Sequence, residues 1–170
     1  MTRPQRIRDA IEAALDGPPT ERPSSSVRIR LVSAFVPFLP ATVLSPNRGE
    51  RREGRIPMEI SEAKRQLRAD TALYLLSLDS VKAIPQPFDY ARVSCVYLWH
   101  KRTSDGLYRP EDVPNAIYAH KAFFDGLIDA GLIVDDGYKH MMFGEHRIER
   151  VSDSRSEGVL VTVEEVERGE

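Results

Sequence analysis

Apolar and polar positions alternate with period two near the start of the chain. Between residues 27 and 35, the odd positions Val27, Ile29 and Leu31 are apolar, whereas arginines stand between them. This alternation is typical of a β-strand with one buried face. The prolines that follow cannot donate a ladder hydrogen bond, so they are expected to end the strand.

Two later segments repeat their apolar residues at helical spacing. Residues 61 to 79 predict an amphipathic helix with Ser61 as its cap, and residues 115 to 131 predict a second helix that Asn115 caps and Gly131 ends. The predicted apolar faces comprise Ala63, Leu67, Tyr74, Leu75 and Leu78 in the first helix, and Ile117, Phe124, Leu127 and Ile128 in the second.

The remaining patterns predict strands and an appended helix. Residues 91 to 101 are rich in apolar, β-branched and aromatic side chains, which favours a central strand. The segments YKHMMF, HRIERV and GVLVTVEEV indicate short strands separated by turns at Gly144 and at SDSRSEG. Residues 5 to 16 predict a helix that Gly17 and two prolines stop.

These elements together predict an α+β fold, a small mixed β-sheet packed with two main helices. We expect an N-terminal helix and linker over residues 1–26 and one domain over residues 27–170.

Composition narrows the class of protein. Hydrophobic residues make up 41% of the 170-residue chain, which argues against general disorder. A single cysteine, Cys95, excludes an intramolecular disulfide framework and favours a reducing, cytoplasmic compartment. No apolar run is long enough to span a membrane, so we expect a soluble protein. The net charge of -2 gives no global attraction to nucleic acid, and any basic surface must be local.

Charged residues bracket the second predicted helix. Asp112 precedes it, Lys121 lies within it, and Asp135 and Asp136 follow it. Carboxylates that converge from two loops are the oxygen ligands that Mg²⁺ prefers, and a nearby lysine can stabilise a phosphate.

Each of these residues also has a structural interpretation. Asp112 could cap a helix, Lys121 could pair with Asp125 one turn away, and the two later aspartates could form a turn. The four histidines are scattered, which favours surface or packing roles over a zinc site.

The segment SPNRGERREGR carries a cluster of arginines in a composition that is typical of an exposed loop. Its charges could simply be solvated, or Arg48, Arg51 and Arg52 could contact phosphates through their bidentate geometry.

Residues 120 to 140, HKAFFDGLIDAGLIVDDGYKH, resemble the signature of the RusA family of Holliday junction resolvases. In that signature a lysine opens a K-A-x-x-D-x-L-x-x-A-G helix that ends in an acidic pair. Upstream, EDVPN at 111 to 115 is similar to the family's D-x-D-N element. The resemblance implies a small α+β homodimer that binds four-way DNA junctions and cuts two strands by Mg²⁺-dependent hydrolysis, in DNA recombination and repair, with Mn²⁺ able to substitute.

The resemblance also implies roles for individual residues. Asp112, Lys121 and Asp136 would be catalytic, and the two aspartates would bind the metal together with Asp135. The family's substrate-binding segment corresponds to LSPNRGERR here. The implied DNA-binding residues are Asn47, Arg48, Arg51, Arg52 and Asn115.

Pro114 departs from the family pattern, because it occupies the position of the second aspartate and cannot ligate a metal. Asp112 and Asp136 would then act with help from Glu111 or Asp135. The alternatives are a junction-binding or DNA-architectural protein that has lost the chemistry, and a nuclease for other branched or flapped DNA.

Overall fold

The computed structural model describes residues 30–41, 44–45, 58–100 and 107–167. The predicted N-terminal helix and linker lie outside these residues, as does the arginine-rich loop with Asn47, Arg48, Arg51 and Arg52.

The described strands form one four-stranded sheet, in the order β1-β4-β2-β3. Strands β1 and β2 each pair antiparallel with β4, whereas β2 and β3 run parallel. The sheet is therefore mixed, and β2 lies inside it, as its apolar sequence predicted. The strands are β1 (Leu31–Val36), β2 (Ala91–Trp99), β3 (Met141–Arg150) and β4 (Gly158–Glu165).

Four helices are found in the described part of the chain: α1 (Met58–Ser77), α2 (Asp79–Lys82), α3 (Val113–Ala119) and α4 (Lys121–Asp129). Helices α3 and α4 belong to the connection between the parallel strands β2 and β3, which cannot be joined by a tight hairpin. Helices and sheet share one apolar core, and the α+β prediction is confirmed.

Alternate residues of each inner strand face that core. Val93, Cys95, Tyr97 and Trp99 of β2 are all buried. Cys95 is a core residue, as expected, and burial raises the pKa of its thiol. The other side of β2 is less buried, because Arg92 is exposed and its neighbours on that face are only partly covered.

The predicted burial phase of β1 is wrong. Leu31 is 47% exposed, whereas Val32, Ala34 and Val36 are buried. The period of two is correct, but the buried positions are the even-numbered ones. The apolar residues at 27, 29 and 31 had indicated the odd-numbered ones. A one-residue shift moves every side chain to the other face of a strand.

The predicted caps are also wrong at both main helices. Helix α1 begins at Met58, so Ser61 lies inside it. The predicted helix over residues 115 to 131 is two helices that meet at His120, and Asp112 rather than Asn115 is the first cap.

The end of α4 is as predicted. Gly131 has a φ of 71°, a conformation that glycine adopts without strain. Its N–H donates to the Ile128 carbonyl and the Leu132 N–H donates to the Leu127 carbonyl, which is the Schellman pattern of helix termination.

Strand β3 is continuous where two short strands were predicted. Gly144 lies within it, at an irregularity in the pairing with β2. A Cβ atom at Gly144 would lie 2.2 Å from Ser94 Oγ, so the glycine serves a close approach of two strands rather than a turn. The last strand, β4, follows as predicted.

Among the described residues, no helix is both long and apolar enough to cross a lipid bilayer.

Candidate functional site

Asp112 caps helix α3. Its Oδ1 accepts a hydrogen bond from the Asn115 backbone N–H at 2.9 Å, and its Oδ2 accepts one from Asn115 Nδ2 at 2.7 Å. Both residues are thus held by a local hydrogen-bonded pair that satisfies an otherwise unpaired N–H at the helix start. Pro114 is the second residue of α3, where a backbone N–H would have no partner within the helix, so the missing N–H of proline is tolerated.

Lys121 and Asp136 form the direct contact within the predicted site. Lys121 Nζ donates to Asp136 Oδ2 at 2.7 Å. The ammonium is largely exposed, at 67% for the side chain, whereas the carboxylate is 28% exposed. Their hydrogen bond raises the pKa of Lys121 and lowers the pKa of Asp136, so each partner keeps the other charged.

The fold selects Asp136 over the nearer Asp125 as the hydrogen-bond partner of Lys121. Asp125 lies one helical turn away and contributes only through its charge, which also raises the pKa of Lys121. Asp136 comes 15 residues after Lys121 in the chain. The turn after α4 must therefore fold back to the beginning of that helix.

Asp135 shapes this turn. Its Oδ1 accepts a hydrogen bond from the Gly137 N–H at 2.8 Å, the pattern of an Asx turn. The carboxylate of Asp135 is exposed beside that of Asp136, and its charge also raises the pKa of Lys121.

A buried ion pair anchors the segment that leads to Asp112. Arg109 and Glu157 are 2% and 8% exposed, and two hydrogen bonds of 2.6 and 2.7 Å join them. Glu157 also accepts from the His100 N–H at 2.6 Å. The connection between β3 and β4 is thus tied to the entrance of α3. The sequence carries no evident signal for this pair, which is separated by 48 residues.

The chain that precedes the arginine-rich segment passes close to this anchor. Ala41 forms an isolated β-bridge with Leu107, and the Tyr108 N–H donates to the Pro40 carbonyl at 2.8 Å. Ser45, the first residue of the SPNRGERREGR segment, is buried. The chain just before the arginine-rich segment is therefore in contact with the segment that leads to Asp112.

Two histidines lie in an aromatic cluster beneath α4. His120 is fully buried, and its Nδ1 donates to the Ala116 carbonyl at 2.8 Å. His146 Nε2 donates to the Val93 carbonyl, so the neutral Nδ1 of the same ring is an acceptor. The Tyr97 hydroxyl donates to this Nδ1 at 3.0 Å. Burial lowers the pKa of both imidazoles, to about 4 for His120. Both side chains have the packing role that the scattered positions indicated.

The described residues bring Lys121, Asp135 and Asp136 together, with Asp112 and Asn115 at the start of α3. Within this part of the chain, no hydrogen bond or ion pair joins Asp112 to Lys121 or Asp136, and no group of three or more metal-ligating side chains is found. The arginines that were predicted to bind DNA lie outside it.

A scan of the chain against protein-family models finds no match. A search of curated proteins finds none that is significantly similar.

Proposed function

We propose that this protein is a Mg²⁺-dependent endodeoxyribonuclease that resolves four-way DNA junctions. The Lys121–Asp136 contact is the observation that carries the proposal. An exposed lysine and a carboxylate 15 residues away form a hydrogen bond at the surface, where such a pair adds only about 0–1 kcal/mol to stability. We assign this pair a chemical role, in line with the resemblance of residues 120 to 140 to the RusA signature.

The ammonium of Lys121 would stabilise negative charge on a phosphate as its ester bond breaks. Asp136 holds this ammonium in place and keeps it protonated, because their hydrogen bond raises the pKa of the lysine. Asn115, whose side chain is fixed by Asp112, would contact the DNA backbone beside it.

The available donors suit Mg²⁺, which protein sites hold through one or two carboxylates while waters and phosphate oxygens complete the shell. Asp136, with Asp135 next to it in the chain, and Asp112 at the start of α3 are the carboxylates that we propose for the ion. When bound, the ion would neutralise charge on the phosphodiester and activate a water molecule.

Phosphate contacts would supply most of the affinity. The segment with Asn47, Arg48, Arg51 and Arg52 follows residues 40 and 41, which contact residues 107 and 108 before α3, and we assign it as a DNA-binding arm. The dimer that we propose would present two such sites, and two matched incisions resolve a junction. We place the protein in the cytoplasm, in recombination and repair.

A cleavage assay on a synthetic four-way junction tests the proposal. The purified protein with Mg²⁺ or Mn²⁺ should cut the junction and leave a linear duplex of the same sequence intact. Flapped and forked DNA belong in the same panel. Preferential cutting of either would identify it, rather than the four-way junction, as the substrate. Binding without cutting on any of them would refute the nuclease.

A catalytically degenerate junction-binding or DNA-architectural protein is the second candidate. The observation that favours it is Pro114, which occupies the place of an expected carboxylate at the start of α3. The Pro114→Asp variant separates the two candidates. If wild type binds junctions without cutting them and Pro114→Asp cuts, the wild-type site is degenerate.

A further inference from the structure

Three exposed aromatic side chains lie in the stretch of chain that contains the Lys121–Asp136 pair. Tyr118 is 61% exposed, Tyr138 is 83% exposed and Phe143 is 49% exposed. We refer to these three residues as the aromatic rim. Aromatic rings bury a large apolar surface when they pack, so rings left in water beside a charged pair are available for a ligand.

Each residue of the rim is held near the pair. Tyr118 precedes Lys121 by three residues, so its Cα lies within about 11 Å of the lysine Cα. Tyr138 follows Asp136 by two residues. The Phe143 ring contacts the Phe124 ring edge to face at 5.6 Å, and Phe124 lies one turn after Lys121 on α4.

Exposed apolar side chains are concentrated in this region. Ten large hydrophobic residues are exposed in the described part of the chain, and five of them lie between residues 118 and 143. Within the same part, no hydrogen bond is found for the Tyr118 or Tyr138 hydroxyl. These rings are therefore not fixed by polar partners, and they can adjust to a flat ligand.

Charges of both signs lie beside the rim. Lys121 lies between Tyr118 and Tyr138 in the chain and pairs with Asp136, and the exposed Lys139 follows Tyr138 directly. Aromatic faces beside ammonium groups match the repeat of a nucleic-acid strand, in which each base carries its own phosphate. A paired duplex hides the faces of its bases, so such a surface fits bases that have left the stack.

On the basis of the proposed nuclease function, we propose that the aromatic rim stacks on unpaired or unstacked bases beside the phosphate that Lys121 contacts. The preferred substrate class is then DNA with accessible bases at the cleavage point, as at a branch. The rim selects the structure of the substrate, while the basic residues hold its backbone.

Binding of the full-length protein to a four-way junction and to a linear duplex of equal length tests this assignment. A 2-aminopurine base at the branch point reports stacking by its fluorescence. Tyr138→Ser should weaken junction binding about tenfold, the typical effect of losing one stacking ring, and should leave duplex binding within about twofold. Tyr138→Phe should restore both the affinity and the fluorescence change.

The matched control is Leu73→Ser, which removes another exposed apolar side chain, at 68% exposure, from α1. It should bind junctions as wild type does. Tyr138→Ser could instead lose equal affinity for junction and duplex, or Tyr138→Phe could fail to restore binding. Either result would contradict the proposed stacking role of the rim.

The outcomes separate this inference from the function on which it rests. If wild type cuts junctions but Tyr118→Ser, Tyr138→Ser and Phe143→Ser all keep its preference over duplex, only the rim is refuted. A preference for single-stranded flaps that depends on Tyr138 would support the rim and contradict the junction as substrate. Failure of wild type to bind any DNA would refute both.

Discussion

The Asp112 carboxylate has a structural role that is independent of any metal, because it caps α3 through two hydrogen bonds with Asn115. The spacing of an aspartate and an asparagine three residues later is therefore explained by helix capping alone. The proposed metal-binding role requires the negative charge in addition, and substitutions can separate the two.

Asp112→Asn and Asp112→Ala should differ in stability but agree in activity. Asparagine caps a helix about as well as aspartate, so Asp112→Asn should unfold at nearly the wild-type urea concentration, whereas Asp112→Ala should lose about 1 kcal/mol. Both variants lack the carboxylate, and both should lose junction cleavage. Wild-type cleavage by Asp112→Asn would remove this residue from the proposed metal site.

Gly126 owes its place in α4 to packing. A Cβ atom there would lie 2.8 Å from Thr71 Cβ and 2.9 Å from the Arg68 carbonyl oxygen of α1. The glycine thus lets the two helices approach closely, and the bidentate Arg68–Asp129 ion pair spans the same contact.

Gly126→Ala should lower the free energy of unfolding by about 1–2 kcal/mol, because overpacking outweighs the better helix propensity of alanine. Urea denaturation measures the change. Gly137→Ala is the control, since its nearest neighbour would be 3.4 Å away, and it should change stability by less than about 0.5 kcal/mol. Equal stability of Gly126→Ala and wild type would contradict the close helix contact.

At the scale of elements, the sequence predicted the helices and strands whose apolar spacing extends over many consecutive residues. Strands β2 and β4 and helix α1 appear near their expected positions, because their apolar spacing is regular over many residues. The break at His120 was not predictable, since the apolar stripe runs through both α3 and α4. The continuity of β3 was not predictable either, because the close approach of Gly144 to Ser94 of β2 joins residues far apart in the chain.

The buried Arg109–Glu157 pair should be the most sensitive link between elements. Glu157→Gln keeps the shape but removes the negative charge of a buried ion pair, so we expect a loss of about 3–5 kcal/mol in the free energy of unfolding. The exposed Arg147–Glu149 pair provides the control, because Glu149→Gln should cost less than about 0.5 kcal/mol. A Glu157→Gln variant as stable as this control would show that the anchor is unimportant.

The contact between α4 and the sheet should weaken in acid. Burial lowers the pKa of His120 to about 4, from an ordinary value of 6.5. The unfolded chain therefore binds a proton at a higher pH than the folded chain, and stability falls as pH drops from about 6.5 to about 4. The pKa difference corresponds to about 3 kcal/mol over this range.

Denaturation at several pH values measures this slope, and His120→Phe should reduce it relative to wild type. His146, whose pKa burial also lowers, contributes in the same direction and should account for part of the slope that remains. An unchanged slope in His120→Phe would contradict the neutral, buried imidazole.

At the scale of the whole molecule, strand order and the partner of Lys121 could not be read from the sequence. The order β1-β4-β2-β3 depends on pairings between distant segments. Helical spacing favoured Asp125 as the partner of Lys121, but the fold of the turn after α4 brings Asp136 to it instead. The pattern of charged residues nevertheless singled out both members of this pair.

The proposed chemistry depends on Lys121 and Asp136 acting as a unit on a branched substrate. Because their pair is exposed, removing either charge should leave stability within about 1 kcal/mol of wild type. Activity and stability should therefore respond differently at these two positions, and a loss of cleavage there could not be attributed to unfolding.

The most direct test is the single-turnover rate at which wild type and Asp136→Asn cut a four-way junction in Mg²⁺, with Asp79→Asn as an exposed aspartate control. We predict paired incisions by wild type and by Asp79→Asn, and a rate at least about a hundredfold lower for Asp136→Asn at unchanged stability. Equal cleavage by wild type and Asp136→Asn would contradict the account.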